Sequence, residues 1–214
     1  MRKSSHSARR QPSQARARAT VDALLEAAAE VFEEHGLDGG TTERIVARAG
    51  VSVGSMYQYF PNKNALLSAL GERTCADAAA SQRAWLDWLR AEDPRLEDGL
   101  RAFVAWLVAA HAVRPRLRCL LFEERPIPEP ISAELHSLHA ATLEGLTAWL
   151  TGKVRRPRVT ALMLHRVVPG LVHPFVLHPH PDLPVSVAVE EILTLTLAYL
   201  GAVAVDLEAS CAQA

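Results

Sequence analysis

Residues 41–67 read TTERIVARAGVSVGSMYQYFPNKNALL. Thr41 stands where a helix N-cap would accept an orphaned backbone N–H, and Glu43 suits the positive end of the helix dipole. Ile45, Val46 and Ala49 give a narrow apolar stripe, and Gly50 occupies the left-handed position that ends a helix. Val51 then anchors a turn, and Ser52 is placed to cap a second short helix over Val53 to Tyr59. Pro61 disfavours a helical residue before it, so that helix stops there, and Asn62 can cap the next one. Two short helices joined by a tight turn and followed by a third helix start form a helix-turn-helix.

The second short helix opens on Val53, Gly54, Ser55 and Met56, residues small or slender enough to let a backbone approach base edges in a major groove. Lys63 adds a positive side chain at a helix end that already attracts phosphate. Leu66, Leu67 and Leu70 begin the stripe that ties the third helix to a core.

With Thr41, Ile45, Ala49, Gly50, Val51, Ser52, Gly54, Tyr57, Tyr59, Phe60, Pro61 and Lys63 in place, the segment resembles the DNA-binding domain of the TetR family of bacterial transcription regulators. The resemblance implies that Thr41, Tyr57 and Lys63 touch phosphates, that Ser52, Val53, Gly54, Ser55 and Met56 face the groove, and that Tyr59 is a further DNA contact. Phe60 is expected in the small core, and a packing role for Tyr57 stays open. Arg44 replaces the acid often found at its position, which suggests an added phosphate or base contact. Val46 replaces the usual Ala.

Upstream, Val21, Leu24, Leu25, Ala28, Val31 and Phe32 recur at helical spacing before Gly36, a first helix packing over the other two. Residues 1–19 contain Arg2, Lys3, Arg9, Arg10, Arg16 and Arg18 and no acid. This basic tail is expected to be disordered when free, and either follows the DNA or merely solubilises the chain. No apolar run follows its charges, so it does not read as a secretory signal.

The 214-residue chain is 49% hydrophobic, enough for one small domain and one larger one. Its net charge of −1 is unpromising for a nucleic-acid binder, but residues 1–63 carry nine Lys/Arg against seven Asp/Glu and the remainder 14 against 17. That asymmetry permits DNA binding without establishing it. Cys75, Cys119 and Cys211 are odd in number and far apart, which argues against disulfides and zinc and for a reducing cytoplasm. No run of 18 apolar residues occurs, so no membrane partner is expected.

Beyond residue 66 the pattern stays helical, giving an all-α chain of about nine helices: tail 1–19, DNA-binding domain 20–65, and an effector-binding and dimerisation domain 66–214. A long helix through Arg90, with a possible bend at Gly71, is expected as the lever between the domains. Asp93 and Pro94 look like the start of the next helix, which carries Leu96, Leu100, Phe103, Val104, Leu107, Val108 and His111 on one face. The last two helices are apolar on more than one face. By the family resemblance they form a homodimer interface through Leu162, Val168, Leu171, Val172, Phe175, Val189, Ile192, Leu193, Thr196 and Leu200. The family's second half implies an effector pocket, and Trp85, Trp88, Phe103, Trp106, Phe122 and Trp149, with His111, His136 and His139 as polar handles, suit a flat or lipophilic effector.

His136 and His139, or His173, His178 and His180, could offer imidazoles to a metal, but no acid or thiol accompanies them in a ligand spacing, so no metal or cofactor is expected. Ser132 and Ser137 lie in no nucleophile motif, and no glycine-rich phosphate loop occurs, so an enzyme is not expected. The function these readings favour is a dimeric repressor of a palindromic double-stranded DNA operator, relieved by a small lipophilic effector. An activator, a metal-responsive regulator, or a hydrophobe-binding module with weak DNA contact are the alternatives.

Overall fold

A computed structural model describes residues 10–205. The described residues form nine helices and no strands: α1 (Arg10–Gly39), α2 (Thr42–Ala49), α3 (Val53–Tyr59), α4 (Lys63–Glu92), α5 (Leu96–Ala112), α6 (Pro115–Phe122), α7 (Glu129–Leu150), α8 (Pro157–Leu177) and α9 (Val185–Val203). The tail expected over residues 1–19 lies outside the described residues as far as residue 9, as does Cys211. Residues 10–19 belong to α1 instead of a tail, in keeping with the strong helix formers of QARARA. The chain divides into two compact units, one running to Arg73 and including Arg116–Pro126, the other made of Thr74–Pro115 and the chain from Ile127 onward.

In the first unit, Leu24, Ala28, Val31 and Phe32 of α1 close over Ile45 and Val46 of α2, Met56 of α3, and Leu66, Leu67 and Leu70 of α4, all buried. Gly36 breaks α1 with φ 66° and ψ −169°, a conformation that a side chain would strain. The turn it makes lays Gly40 on Phe32, where a Cβ would come within 2.4 Å of the ring. Caps set the helix boundaries: Thr41 Oγ1 accepts from Arg44 N, Ser52 Oγ from Ser55 N, and Asn62 Oδ1 from Ala65 N. Gly50 closes α2 at φ 68°.

The same unit takes in α6. Leu117, Leu120 and Leu121 join its core, and the Glu33 carboxylate accepts from the backbone N–H groups of Arg116 and Leu117, otherwise orphaned at the start of α6. Arg116 in turn donates from Nη1 to the Glu34 carbonyl near the end of α1, at 3.1 Å. The first unit is therefore larger than the 20–65 segment read from the sequence, because an apolar helix pattern holds no information about what its buried face will meet.

In the second unit, one apolar face from each helix meets in a common core: Leu89 from α4, Leu100, Phe103 and Leu107 from α5, Leu146 and Leu150 from α7, Leu164, Val168 and Val172 from α8, and Ile192, Leu193 and Leu200 from α9. The segment after α7 pairs with the end of α9, Arg155 N donating to Val203 O and Val205 N to Lys153 O, both at 3.0 Å. Asp93 does not cap α5 as expected. It sits at φ 41° with its carboxylate on Lys153, and the helix begins at Leu96. Gly71 stays within α4 without a break. α8 and α9 are each long and apolar enough to cross a bilayer by length and composition alone. Each nevertheless places a face in this core, as the paired inner faces of a bundle do.

Gly99 is the tightest point of the α5 and α7 packing, since a Cβ there would lie 2.1 Å from the Trp149 ring. Gly99→Ala is expected to destabilise the chain by about 1–3 kcal/mol through this overpacking, although alanine is the better helix former. Urea unfolding of the variant beside the parent checks it.

Candidate nucleic-acid interface

α3 is two turns long, and one side chain sets its rotation. Met56 is only 1% exposed, pinned under α1 and α2, and Phe60 at the C-cap is buried beside it. With that side down, Val53, Gly54, Tyr57 and Gln58 point out, Tyr57 half-exposed at 50%. Met56, expected to face the groove, is thus corrected to a core residue: a seven-residue helix must spend its most apolar side chain on anchoring. Ser52 spends its hydroxyl on the cap, accepting from Ser55 N at 3.1 Å and donating to Ser55 Oγ at 3.0 Å. Ser55 is half-buried. Gln58 was not singled out from the sequence, yet its exposed amide can make the two-point contact that adenine accepts and donates to.

Thr41 and Arg44 are exposed at the start of α2, and Tyr59 is 37% exposed at the end of α3. Lys63 is more committed than the sequence implied. Its ammonium donates to the Leu37 carbonyl and lies 5.5 Å from the centre of the Phe32 ring, so it ties the α1 turn down as well as carrying charge. The surface around α2 is braced by Arg48, whose guanidinium forks onto Glu34 at 2.8 and 3.0 Å and reaches Glu30 at 2.8 Å. That hydrogen bond holds the Glu34 carboxyl below its ordinary range. The chemistry offered by this face is that of a protein that lays a short helix against a duplex: an open backbone at Gly54, hydroxyl and amide groups, and an arginine.

Two family patterns match the chain. Residues 24–70 match bacterial regulatory proteins of the tetR family, and residues 96–200 match the tetracyclin repressor-like C-terminal domain. The chain belongs to the TetR family of transcriptional regulators.

Among curated relatives, the regulator is 47% identical over 49 residues to the uncharacterized HTH-type transcriptional regulator YvdT of Bacillus subtilis, covering 23% of this chain and 25% of that protein. It is 39% identical over 67 residues to the class A tetracycline repressor protein from transposon 1721 of Escherichia coli, covering 30% of this chain and 31% of the repressor. The matches thus span a quarter to a third of those relatives. Its fold resembles that of a solved TetR-family regulator from Mesorhizobium loti with TM-score 0.66 and 18% identity, over 89% of this chain and 99% of the other.

The residues expected to line an effector site separate. Trp85, Phe103 and Trp106 come together as nearly parallel rings, Trp85 lying 5.2 Å from Phe103 and 5.1 Å from Trp106 between centroids. Trp149 is buried in the same core, donating from Nε1 to the Pro94 carbonyl. His111 is half-buried, its Nδ1 2.7 Å from the Leu107 carbonyl and its ring 4.8 Å from that of His173. Phe122 is the correction: it packs against the core of the first unit, because α6 buries its leucines there. Trp88 is 38% exposed and His136 is exposed, so neither joins the ring cluster. His139 faces His165 edge-on at 5.4 Å. Burial, then His136 and Arg166, push the His139 imidazole below its ordinary value. Burial, then His139 and Arg166, do the same to His165.

The expected dimer surface needs the larger correction. Val168, Val172, Ile192, Leu193, Thr196 and Leu200 are all buried inside the second unit, and Leu171, Phe175 and Val189 are half-buried. Of the expected residues only Leu162 is well exposed. Exposed beside it are Val159 and Met163 on α8, with Val187 and Leu195 on α9. Both helices are apolar on two sides, and the sequence pattern cannot say which side turns inward.

Gly54 has ordinary helical backbone, and a Cβ there would meet only Ser52 Oγ at 3.9 Å. Gly54→Leu is therefore expected to leave the melting temperature unchanged or raise it, since glycine inside a helix costs about 0.5–1 kcal/mol, while removing specific DNA binding by steric exclusion. Thermal melts and gel-shift titrations on the same preparation check both halves.

Proposed function

We propose that this TetR-family regulator is a homodimeric repressor that binds a palindromic operator and is released from it by a small effector. The observation that carries the reading is the α3 surface, where Met56 is turned inward and Val53, Gly54, Tyr57 and Gln58 outward. Thr41, Arg44, Tyr57 and Tyr59 supply phosphate contacts that fix register, while Gly54, Ser55 and Gln58 read the groove. The repressor role is supported by the partial similarity to tetracycline repressor proteins.

Dimerisation uses the outward side of α8 and α9: Val159, Leu162 and Met163 with Val187 and Leu195. Joining two readers about a two-fold axis suits recognition helices about 34 Å apart on successive major grooves. The effector acts in the second unit, where the ring cluster of Trp85, Phe103 and Trp106 sits. It releases DNA only if it binds one state of the dimer more tightly than the other. α4 supplies residues to both units and is a continuous helical path for that preference.

Leu162→Glu with Leu195→Glu is expected to convert the dimer to folded monomer in analytical ultracentrifugation and to weaken operator binding by at least about tenfold, or ~1.4 kcal/mol. Tyr57→Ala is expected to leave the dimer intact and weaken the same operator by roughly tenfold in fluorescence anisotropy. A dimer that survives the double substitution removes this assignment of the interface.

A further inference from the structure

Three indoles lie in or against the core of the second unit, and they differ in how their N–H groups are satisfied. Trp106 Nε1 donates to Ser81 Oγ at 2.9 Å, and Trp149 Nε1 to the Pro94 carbonyl at 3.0 Å. Trp85 is 7% exposed, and its Nε1 is buried with no hydrogen-bond partner among the described residues. Leaving a buried donor unmade is unfavourable, and phenylalanine would supply an apolar ring at that position without that cost.

The ring partners of Trp85 and the polar groups that neighbour it along α4 bear on what could accept that proton. Its ring stacks with Trp106 at an interplanar angle of 10° and with Phe103 at 28°, so planar aromatic surface already gathers there. Gln82, nearly one turn earlier on α4, is buried, and its Nε2 donates to the Leu138 carbonyl and to Thr142 Oγ1, both at 2.6 Å. Ser81, Gln82 and Thr142 are uncharged. On α7 and α8, burial and then neighbouring positive groups push the imidazoles of His139 and His165 below their ordinary value, and Arg166 is exposed. The His165 Nδ1 is also buried without a partner among the described residues.

We propose that Trp85 Nε1 is a ligand-recognition donor, and that the effector is a neutral, flat aromatic molecule bearing a carbonyl or ether oxygen that accepts its proton. The body of the molecule packs against the half-buried ring of Trp106, beside Trp85. An acceptor is required because an indole can only donate. A neutral one follows because Ser81 and Gln82, the polar side chains next to Trp85 along α4, carry no charge, and a carboxylate stripped of water there would be uncompensated. The inference rests on the second unit being the effector domain and adds the chemical class of the effector.

The test uses the full chain and three probes of one shape: methyl naphthyl ketone, isopropenylnaphthalene, in which a methylene replaces the oxygen, and naphthoate, which adds charge. Equilibrium dialysis is expected to give the ketone an affinity about tenfold above either of the others, the worth of one buried hydrogen bond. In Trp85→Phe the ketone and the hydrocarbon become equal, whereas in Trp106→Phe the preference stays, and circular dichroism verifies that both variants fold. Equal affinity of ketone and hydrocarbon for the parent, tighter naphthoate, no binding of the ketone, or a preference that survives Trp85→Phe each overturns the inference. The comparison within the parent decides the matter even if Trp85→Phe does not fold. A ketone that binds with the expected preference and leaves operator affinity unchanged supports the inference and overturns effector relief instead.

Discussion

Burial of Met56 is the constraint on which the DNA-facing surface depends. α3 is seven residues long and cannot hold its own orientation, because an isolated helix of that length does not persist in water. One methionine pressed into the core of α1 and α2, backed by Phe60 at the helix end, fixes the rotation. Val53, Gly54, Tyr57 and Gln58 then have only one direction to face. The capping hydroxyls of Thr41 and Ser52 and the left-handed Gly50 set the angle between α2 and α3. Recognition chemistry is thus a consequence of packing chemistry.

A similar economy runs through α8 and α9, which are apolar on two sides. One side of each builds the core of the second unit, and the other leaves Val159, Leu162, Met163, Val187 and Leu195 exposed. An exposed apolar set of this kind on a core helix is costly for an isolated chain and suits burial against a second copy. In the first unit, the Glu33 carboxylate receives the start of α6 while Arg116 returns a bond to α1, so each helix end satisfies the other's orphaned groups.

Much of the fold was legible because the sequence marks boundaries with residues of narrow use. Gly36, Gly50, Ser52 and Asn62 stand where helices break or begin, and α2 and α3 follow their expected spans closely. Boundaries misled where a residue had a competing use, as at Asp93, which precedes a proline like a cap but serves Lys153. Partner identity was the part that periodicity could not supply. A stripe of apolar residues says that a face is buried and not against what, so it leaves open which unit Phe122 joins and which sides of α8 and α9 turn inward. Met56 was misread for a related reason, since family position suggested the groove and the need for an anchor was invisible at that length. The four tryptophans were seen as one group, although only the hydrogen-bond pattern separates Trp85 from Trp106 and Trp149.

Selection from a randomised duplex pool, with gel-shift titration of the winning sequence at two salt concentrations, tests sequence-specific reading by the α3 face most directly. The proposed dimeric reader predicts a palindromic winner whose preference over random DNA persists at the higher salt, with Gly54→Leu losing that preference. A pool that shows no enrichment, bound only by contacts that fade with salt, would contradict it.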